Sequence, residues 1–293
     1  MDVWLNGDFV SIDDAQVSAF DAGFQHGVGI FETMRASRGR VIDLFPHLER
    51  MAESARVLRL SEQMRVDPLG EAVLATLKES GLQEARIRVT VTGGDLNMLK
   101  DSGSSQEPTI MVVAQPPTEY PEALYEKGTT VSVADARANP LDPFAGHKTV
   151  WYWPRLMELQ KAAAKGAAEA LWFSVGNHLA CGCVSNVLLV SEGRLLTPLA
   201  RGEEPSGGLP SPVLPGVVRQ SVMEWARQEG LEVMAGVIDI EQILKAEEVM
   251  LTNSSWGVLP VVRLEANAIG DEKPGSFTRL FMQRWKELLE VGA

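Results

Sequence analysis

The chain has 293 residues, 45% hydrophobic and 23% charged, the balance of a folded globular protein long enough for two domains at one per ~150 residues. Its 27 Lys and Arg stand against 39 Asp and Glu, a formal net charge of −12, which argues against nucleic acid and anionic membrane as partners because there is no basic footprint. No run of ~18 apolar residues appears, and residues 1–8 lack the basic start and apolar core of a signal peptide, so the expectation is a cytoplasmic protein.

In chain order, the first part reads strand, turn, strand, helix, helix, strand, strand. In its opening helix Leu44, Leu48, Met51, Ala55 and Leu58 recur at helical spacing and define a buried stripe. His47, Arg50 and Ser54 share a neighbouring strip, whereas Glu49, Glu53 and Arg56 face water. Arg50 therefore borders the core, where it either pairs with an acid or reaches into a cleft. A proline cluster over 115–121 follows the apolar run at 110–114 and marks a linker. The expected domains are a small N-terminal α/β domain over 1–118 and a larger C-terminal domain over 119–293 that carries Lys148.

The second part has strand-like runs at 129–134, 170–175 and 187–191. A helix is expected over 154–167 with Leu156, Leu159, Ala163 and Gly166 on one face. Another starts after Leu214-Pro215-Gly216 and carries Val218, Val222 and Trp225 until Gly230 ends it. A third, over 240–248, leads into Val249-Met250-Leu251-Thr252 and the turn Asn253-Ser254-Ser255. The fold class expected is α+β.

Lys148 stands out, in an apolar and aromatic stretch with no other formal charge between Asp142 and Arg155. Desolvation pushes an ammonium toward its neutral form, the nucleophile needed for a Schiff base. The bland alternative is a lysine that lays its stem on the aromatics and extends its head to water. Cys181 and Cys183, with no His or Cys cluster elsewhere, make neither a metal site nor an expected disulfide. Two features suit a phosphate: the helix starting after Gly216, with free N–H groups at the positive end of its dipole, and Ser254 with Ser255, which offer hydroxyl and amide donors.

Six segments together resemble one family. They are Asp21-Ala22-Gly23-Phe24-Gln25-His26-Gly27-Val28-Gly29-Ile30-Phe31-Glu32-Thr33-Met34-Arg35; Phe45-Pro46-His47-Leu48-Glu49-Arg50-Met51 with Ser54; His147-Lys148-Thr149; Val184-Ser185-Asn186-Val187; Leu214-Pro215-Gly216-Val217-Val218-Arg219; and Ala246-Glu247-Glu248-Val249 followed by Leu251-Thr252-Asn253-Ser254. In this order, over nearly the whole chain, they resemble the class IV aminotransferases, pyridoxal-phosphate enzymes that include branched-chain aminotransferase, D-amino acid aminotransferase and aminodeoxychorismate lyase. The resemblance implies that family's two-domain fold, pyridoxal 5'-phosphate as cofactor, no metal, and a homodimer. It implies that Lys148 carries the internal aldimine, that Arg50 clamps the phosphate, and that Ser254 and the amides of Val217 and Val218 complete its cradle. Substrate, an amino acid and a keto acid, would have the regions of Phe31 and Trp151 as walls.

The chain departs from the family where the alignment through Gly182 and Asn186 puts Cys181 at the place of the glutamate that protonates the pyridine nitrogen. A thiol is neither a strong anion nor a good acceptor. Val218 replaces a threonine and Trp151 an asparagine, and Thr90-Val91-Thr92-Gly93-Gly94 lacks an arginine that several relatives carry. The preferred reading is an aminotransferase acting on a small amino acid. The alternatives are a lyase of the aminodeoxychorismate type that releases pyruvate, and a divergent cofactor-binding homologue with weak or no transaminase activity.

Overall fold

The structure is a computed structural model that describes residues 2–95 and 108–291. The chain divides into two compact units: Met1–Thr118 with Lys148–Trp151 and Leu289–Ala293, and Glu119–His147 with Tyr152–Leu288.

The first unit contains β1 (Asp2–Leu5), β2 (Asp8–Ser11), α1 (Ala22–His26), β3 (Gly29–Ser37), β4 (Arg40–Val41), α2 (Leu44–Val57), α3 (Val66–Ser80), β5 (Ala85–Thr92) and β6 (Ile110–Gln115). Among the described residues its strands form an antiparallel sheet in the order β2-β1-β6-β5-β3-β4. Strand β5 alternates buried and half-buried positions, and Ala85, Ile87, Val89 and Val91 are fully buried. Against that face α2 lays Leu44, Leu48, Met51 and Ala55, and α3 lays Leu69, Ala72, Val73 and Leu77. A period-2 stripe thus meets two stripes of period 3.6, and each large aliphatic side chain buried there contributes about 1.5–3 kcal/mol.

The short helix α1, absent from the expected order, is held by Asp21. This buried carboxylate accepts from Gly23 N at 2.7 Å, Thr92 Oγ1 at 2.6 Å and Thr109 Oγ1 at 2.7 Å. Lys148, expected on the C-terminal part, packs with the first unit instead. Phe31 N donates to Lys148 O and Val150 N donates to Gly29 O, each at 2.9 Å, around a bridge between Ile30 and Thr149. The reason is an open edge: β4 covers β3 only at Ala36 and Ser37, so the backbone of Gly29–Phe31 is available to a passing strand. Gly29 permits the approach, since a Cβ there would lie 2.7 Å from Val91 O and 3.3 Å from Val150 Cγ2.

The second unit contains α4 (Ala123–Glu126), β7 (Thr129–Ala138), α5 (Trp153–Ala164), β8 (Glu169–Ser174), β9 (Leu179–Gly182), β10 (Asn186–Ser191), β11 (Arg194–Pro198), α6 (Val217–Gln228), β12 (Glu232–Gly236), α7 (Ile240–Lys245), β13 (Glu248–Asn253), β14 (Gly257–Leu264), β15 (Asn267–Ala268) and, up to Leu288, α8 (Ser276–Glu290). Its strands run in the order β12-β11-β10-β13-β14-β7-β8-β9, with β15 on β14, and mix parallel and antiparallel pairs. Helix α7 ends at Lys245, because β13 begins at Glu248 and pairs with β10 from its first residue.

Helix α5 turns a different face inward from the one its apolar spacing suggests. Leu156 is 46% exposed and Ala163 and Gly166 are exposed, while Glu158 and Ala162 are buried. The cause is polar: Glu158 accepts from Asp135 N at 2.8 Å and from Lys161 Nζ at 2.7 Å, which satisfies a backbone group of β7.

Candidate active site

In the first unit, β3 and α2 bring together an acid, a base and a guanidinium. Glu32, on β3 and 1% exposed, accepts from Arg50 Nε at 2.8 Å and Nη2 at 2.7 Å. His47, one helical turn before Arg50 and also buried, lies with Nδ1 2.8 Å from Glu32 Oε2, the same oxygen that accepts from Arg50 Nη2. An ionised carboxylate only accepts, so His47 Nδ1 carries the proton in this bond. Burial alone would raise the Glu32 carboxyl, but the Arg50 charge and the His47 bond outweigh it and hold it well below the usual range. Burial also lowers His47; Glu32 opposes this, and the charges of Arg50 and Lys148 add to it. His47 is therefore neutral at pH 7.

Because the folded-state Glu32 is depressed, its stabilising contribution is complete above the ordinary glutamate value of 4.5 and disappears as pH falls through the folded value. The difference in unfolding free energy between the native protein and a Glu32→Gln variant should therefore be large at pH 7 and shrink below about pH 4.5. Urea unfolding at pH 7, 5 and 3 checks this, and a difference that stays constant with pH would refute the assigned charge.

Lys148 is half-buried, and its Nζ lies 4.5 Å from the centroid of the Phe31 ring. The guanidinium of Arg88, on β5, lies 3.8 Å from the same centroid, and its Nε donates to Thr90 Oγ1 at 3.1 Å. Phe31 is thus a buried platform shared by an amine and a permanent cation. The aromatic stretch around Lys148 is more open than its composition suggests: Phe144, Trp151 and Trp153 are 53%, 59% and 70% exposed.

In the second unit, Glu169 organises the turn after β9. This fully buried carboxylate accepts from Ala170 N at 3.0 Å, Cys183 N at 2.9 Å, Val184 N at 3.1 Å and Ser185 Oγ at 3.0 Å. Burial raises its carboxyl, and the amide donors only partly offset this. The turn leads into Asn186, whose Nδ2 donates to Leu214 O at 2.8 Å, and a Cβ at Gly216 would run into the same amide. Asn186 thereby sets the Leu214-Pro215-Gly216 turn that starts α6. Val217 and Val218 are the first two residues of that helix, whose N-cap Gly216 provides no side-chain cap. On the other side of the turn, Asn253 Nδ2 donates to Val184 O at 3.2 Å.

Thr252 pairs directly with Asn186 across β13 and β10, which puts both side chains on one face of the sheet. Its Oγ1 is buried without a hydrogen-bond partner among the described residues. Ser254 and Ser255 form the turn between β13 and β14, but the amide expected from Ser255 is already taken: Ser255 N and Trp256 N donate to Asn253 Oδ1 at 2.9 and 3.0 Å.

Cys181 and Cys183 are free thiols, both buried. Arg155, on the first turn of α5, donates from Nη1 toward Cys181 Sγ at 3.4 Å, Gly182 O at 3.0 Å and Cys183 O at 3.1 Å. Tyr152 OH donates to Cys183 O at 3.2 Å. Burial pushes the Cys183 thiol up to about 12.

Of the residues singled out from sequence, Lys148, Arg50, Phe31 and Trp151 belong to the first unit, and Cys181, Val217, Val218, Ser254 and Ser255 to the second. Glu32, Arg88, Glu169 and Arg155 were not singled out. Glu32 lies inside the first quoted motif, which is the one signal that pointed to it; the other three depend on strand register and helix facing.

The family model of amino-transferase class IV matches residues 29–264, and the chain belongs to that family of pyridoxal-phosphate enzymes. A putative branched-chain-amino-acid aminotransferase of Methanocaldococcus jannaschii is 28% identical over 289 residues, covering 98% of this chain and 96% of that protein. Aminodeoxychorismate lyase of Bacillus subtilis is 24% identical over 292 residues, covering 98% and 94%. Among solved structures, the branched-chain amino acid aminotransferase of Escherichia coli superposes with a TM-score of 0.89 at 24% identity, covering 98% of this chain and 94% of that one. The 4-amino-4-deoxychorismate lyase of Pseudomonas aeruginosa gives 0.85 at 24%, covering 99% and 100%. The α+β fold is that of the class IV enzymes. Among the described residues no helix is long and apolar enough to cross a membrane.

Proposed function

We propose that the chain is an aminotransferase that moves an amino group between an amino acid and a 2-keto acid, with Lys148 as its catalytic residue. The observation that carries this reading is the Phe31 platform, where a primary amine and the Arg88 guanidinium share one aromatic ring. Pyridoxal phosphate, when bound, supplies an aldehyde for the amine and an electron-withdrawing ring. The donor set fits this group. Lys148 is the amine; Arg50 suits a phosphate, and so do the α6 amides of Val217 and Val218 and the Ser254 hydroxyl. The orphaned Thr252 hydroxyl, on the face of the sheet where Asn186 holds the start of α6, is a further unpaired donor in that region.

In this reading Lys148 Nζ would take the α-proton of the substrate and return it. Arg88 attracts the substrate carboxylate, and Phe31 excludes water beneath the reacting atoms. Glu32 and His47 hold Arg50 in one orientation through two charge-assisted bonds and a turn of helix. A homodimer is part of the proposal, supported by Phe20 and Phe24, which are 71% and 78% exposed. A cytoplasmic setting suits the two free thiols.

Reconstitution with pyridoxal phosphate, borohydride reduction and peptide mapping should put the pyridoxyl label on Lys148. A label on Lys161 or Lys165, or none, would sink the assignment. Arg88→Ala should raise the KM for amino acid about ten- to a hundredfold, the equivalent of one hydrogen bond to a charged group, and leave cofactor affinity unchanged. Keto-acid exchange with pooled D- and L-amino acids supports the aminotransferase. Pyruvate release from aminodeoxychorismate would instead support the lyase, the second reading, which rests on the whole-chain likeness to the Bacillus enzyme.

A further inference from the structure

The chain leaves Lys148 and within seven residues lays Tyr152 and Arg155 onto the end of β9. Arg155 is anchored there by one nitrogen only. Nη1 reaches the Cys181 thiol and the carbonyls of Gly182 and Cys183, whereas Nε and Nη2 have no hydrogen-bond partner among the described residues. The guanidinium lies 5.3 Å from the Trp172 ring centroid and 5.8 Å from that of Tyr152, so its plane is fixed by aromatics as well as by the carbonyls. The residue is half-buried, and neither Nε nor Nη2 is among the fully enclosed polar atoms left without a partner, so both are open to an incoming group. A rigid, permanently charged fork with two donor nitrogens left over is built to hold an acceptor.

We propose that Arg155, fixed by Cys181, donates a hydrogen bond to the pyridine nitrogen of the bound cofactor and keeps that nitrogen unprotonated. The proposal rests on the reading of Cys181 as the residue beside that nitrogen. The chemistry then follows from the donor inventory. A guanidinium has five N–H donors and no acceptor, so a ring nitrogen facing it must itself accept, and a pyridinium there would meet like charge. The Cys181 thiol, a weak donor and acceptor, does not reverse this. The ring would be a weaker electron sink than one paired with a carboxylate, and Arg155 would set which reactions the site supports.

The test uses the holoprotein loaded with pyridoxal phosphate labelled with 15N in the ring, observed by NMR across the pH range in which the protein stays folded. The expected result is one pyridine-type resonance that does not move with pH. In Arg155→Met, close in length but uncharged, the resonance should begin to titrate. Arg155→Gln, which keeps donors for the two carbonyls, reads the same outcome should methionine prevent folding. A pyridinium resonance in the native holoprotein overturns the proposal, and so does a fixed pyridine resonance that survives the loss of Arg155. Absence of the borohydride label from Lys148 would instead overturn the cofactor reading itself, so the two failures are distinguishable.

Discussion

Arg50→Ala is expected to cost about 3–5 kcal/mol of stability as well as cofactor affinity, because it removes one partner of a buried ion pair and leaves the Glu32 charge without its guanidinium and dependent on His47. The Arg50 side chain is 11% exposed and that of Glu32 is 1% exposed, so water cannot replace the lost guanidinium. Arg56→Ala, on the same helix, should stay within about 0.5 kcal/mol of the native protein, since its pair with Glu53 is 62% and 58% exposed. Urea unfolding of both variants without cofactor measures the structural share. Cofactor titration of the folded fraction then measures whether Arg50 also contacts phosphate. Equal stability losses in the two variants would contradict the packing of α2 against β3.

Glu169→Ala should be as damaging, at roughly 3–5 kcal/mol, for the opposite reason: it removes an acceptor rather than a cation. The amides of Cys183 and Val184 and the hydroxyl of Ser185 would lose their buried partner together, at about 1–3 kcal/mol for each group left unsatisfied. The damage should not stay local. The turn that Glu169 holds runs directly into Asn186, and Asn186 sets the start of α6 through Leu214 O. Hydrogen exchange should show faster exchange at the amides of 183–186 and in the first turn of α6, while α2 and β5 keep their protection. Uniform loss of protection in both units, or none at all, would show that Glu169 does not organise this turn.

These two carboxylates also show why the six ordered motifs are spread along the chain. Asn186 of one motif bonds Leu214 of another, and Asn253 of a third bonds Val184, so residues 28 and 69 positions apart are joined by single side-chain bonds. Arg50 and Glu32 connect the first two motifs in the same way.

Sequence alone determined whatever repeats within one segment or belongs to one motif. The stripe of α2, the start of α6 after Gly216, the strand runs near 129, 170 and 187, the family and its cofactor all come from local spacing or ordered motifs, because periodicity and turn chemistry act over a few residues. The tertiary structure decided which polar groups face one another. It paired Glu32 with Arg50, put Arg88 and Lys148 each against the Phe31 ring, buried Glu169 under the turn after β9, and spent the Ser255 amide on Asn253. The inward face of α5 is the clearest case. Its apolar spacing favours Leu156 and Ala163, yet Arg155 and Glu158 turn toward the sheet because the carbonyls after β9 and the amide of Asp135 need partners there. A backbone group left unpaired costs more than an exposed leucine, and that demand exists only once the strands have taken their register.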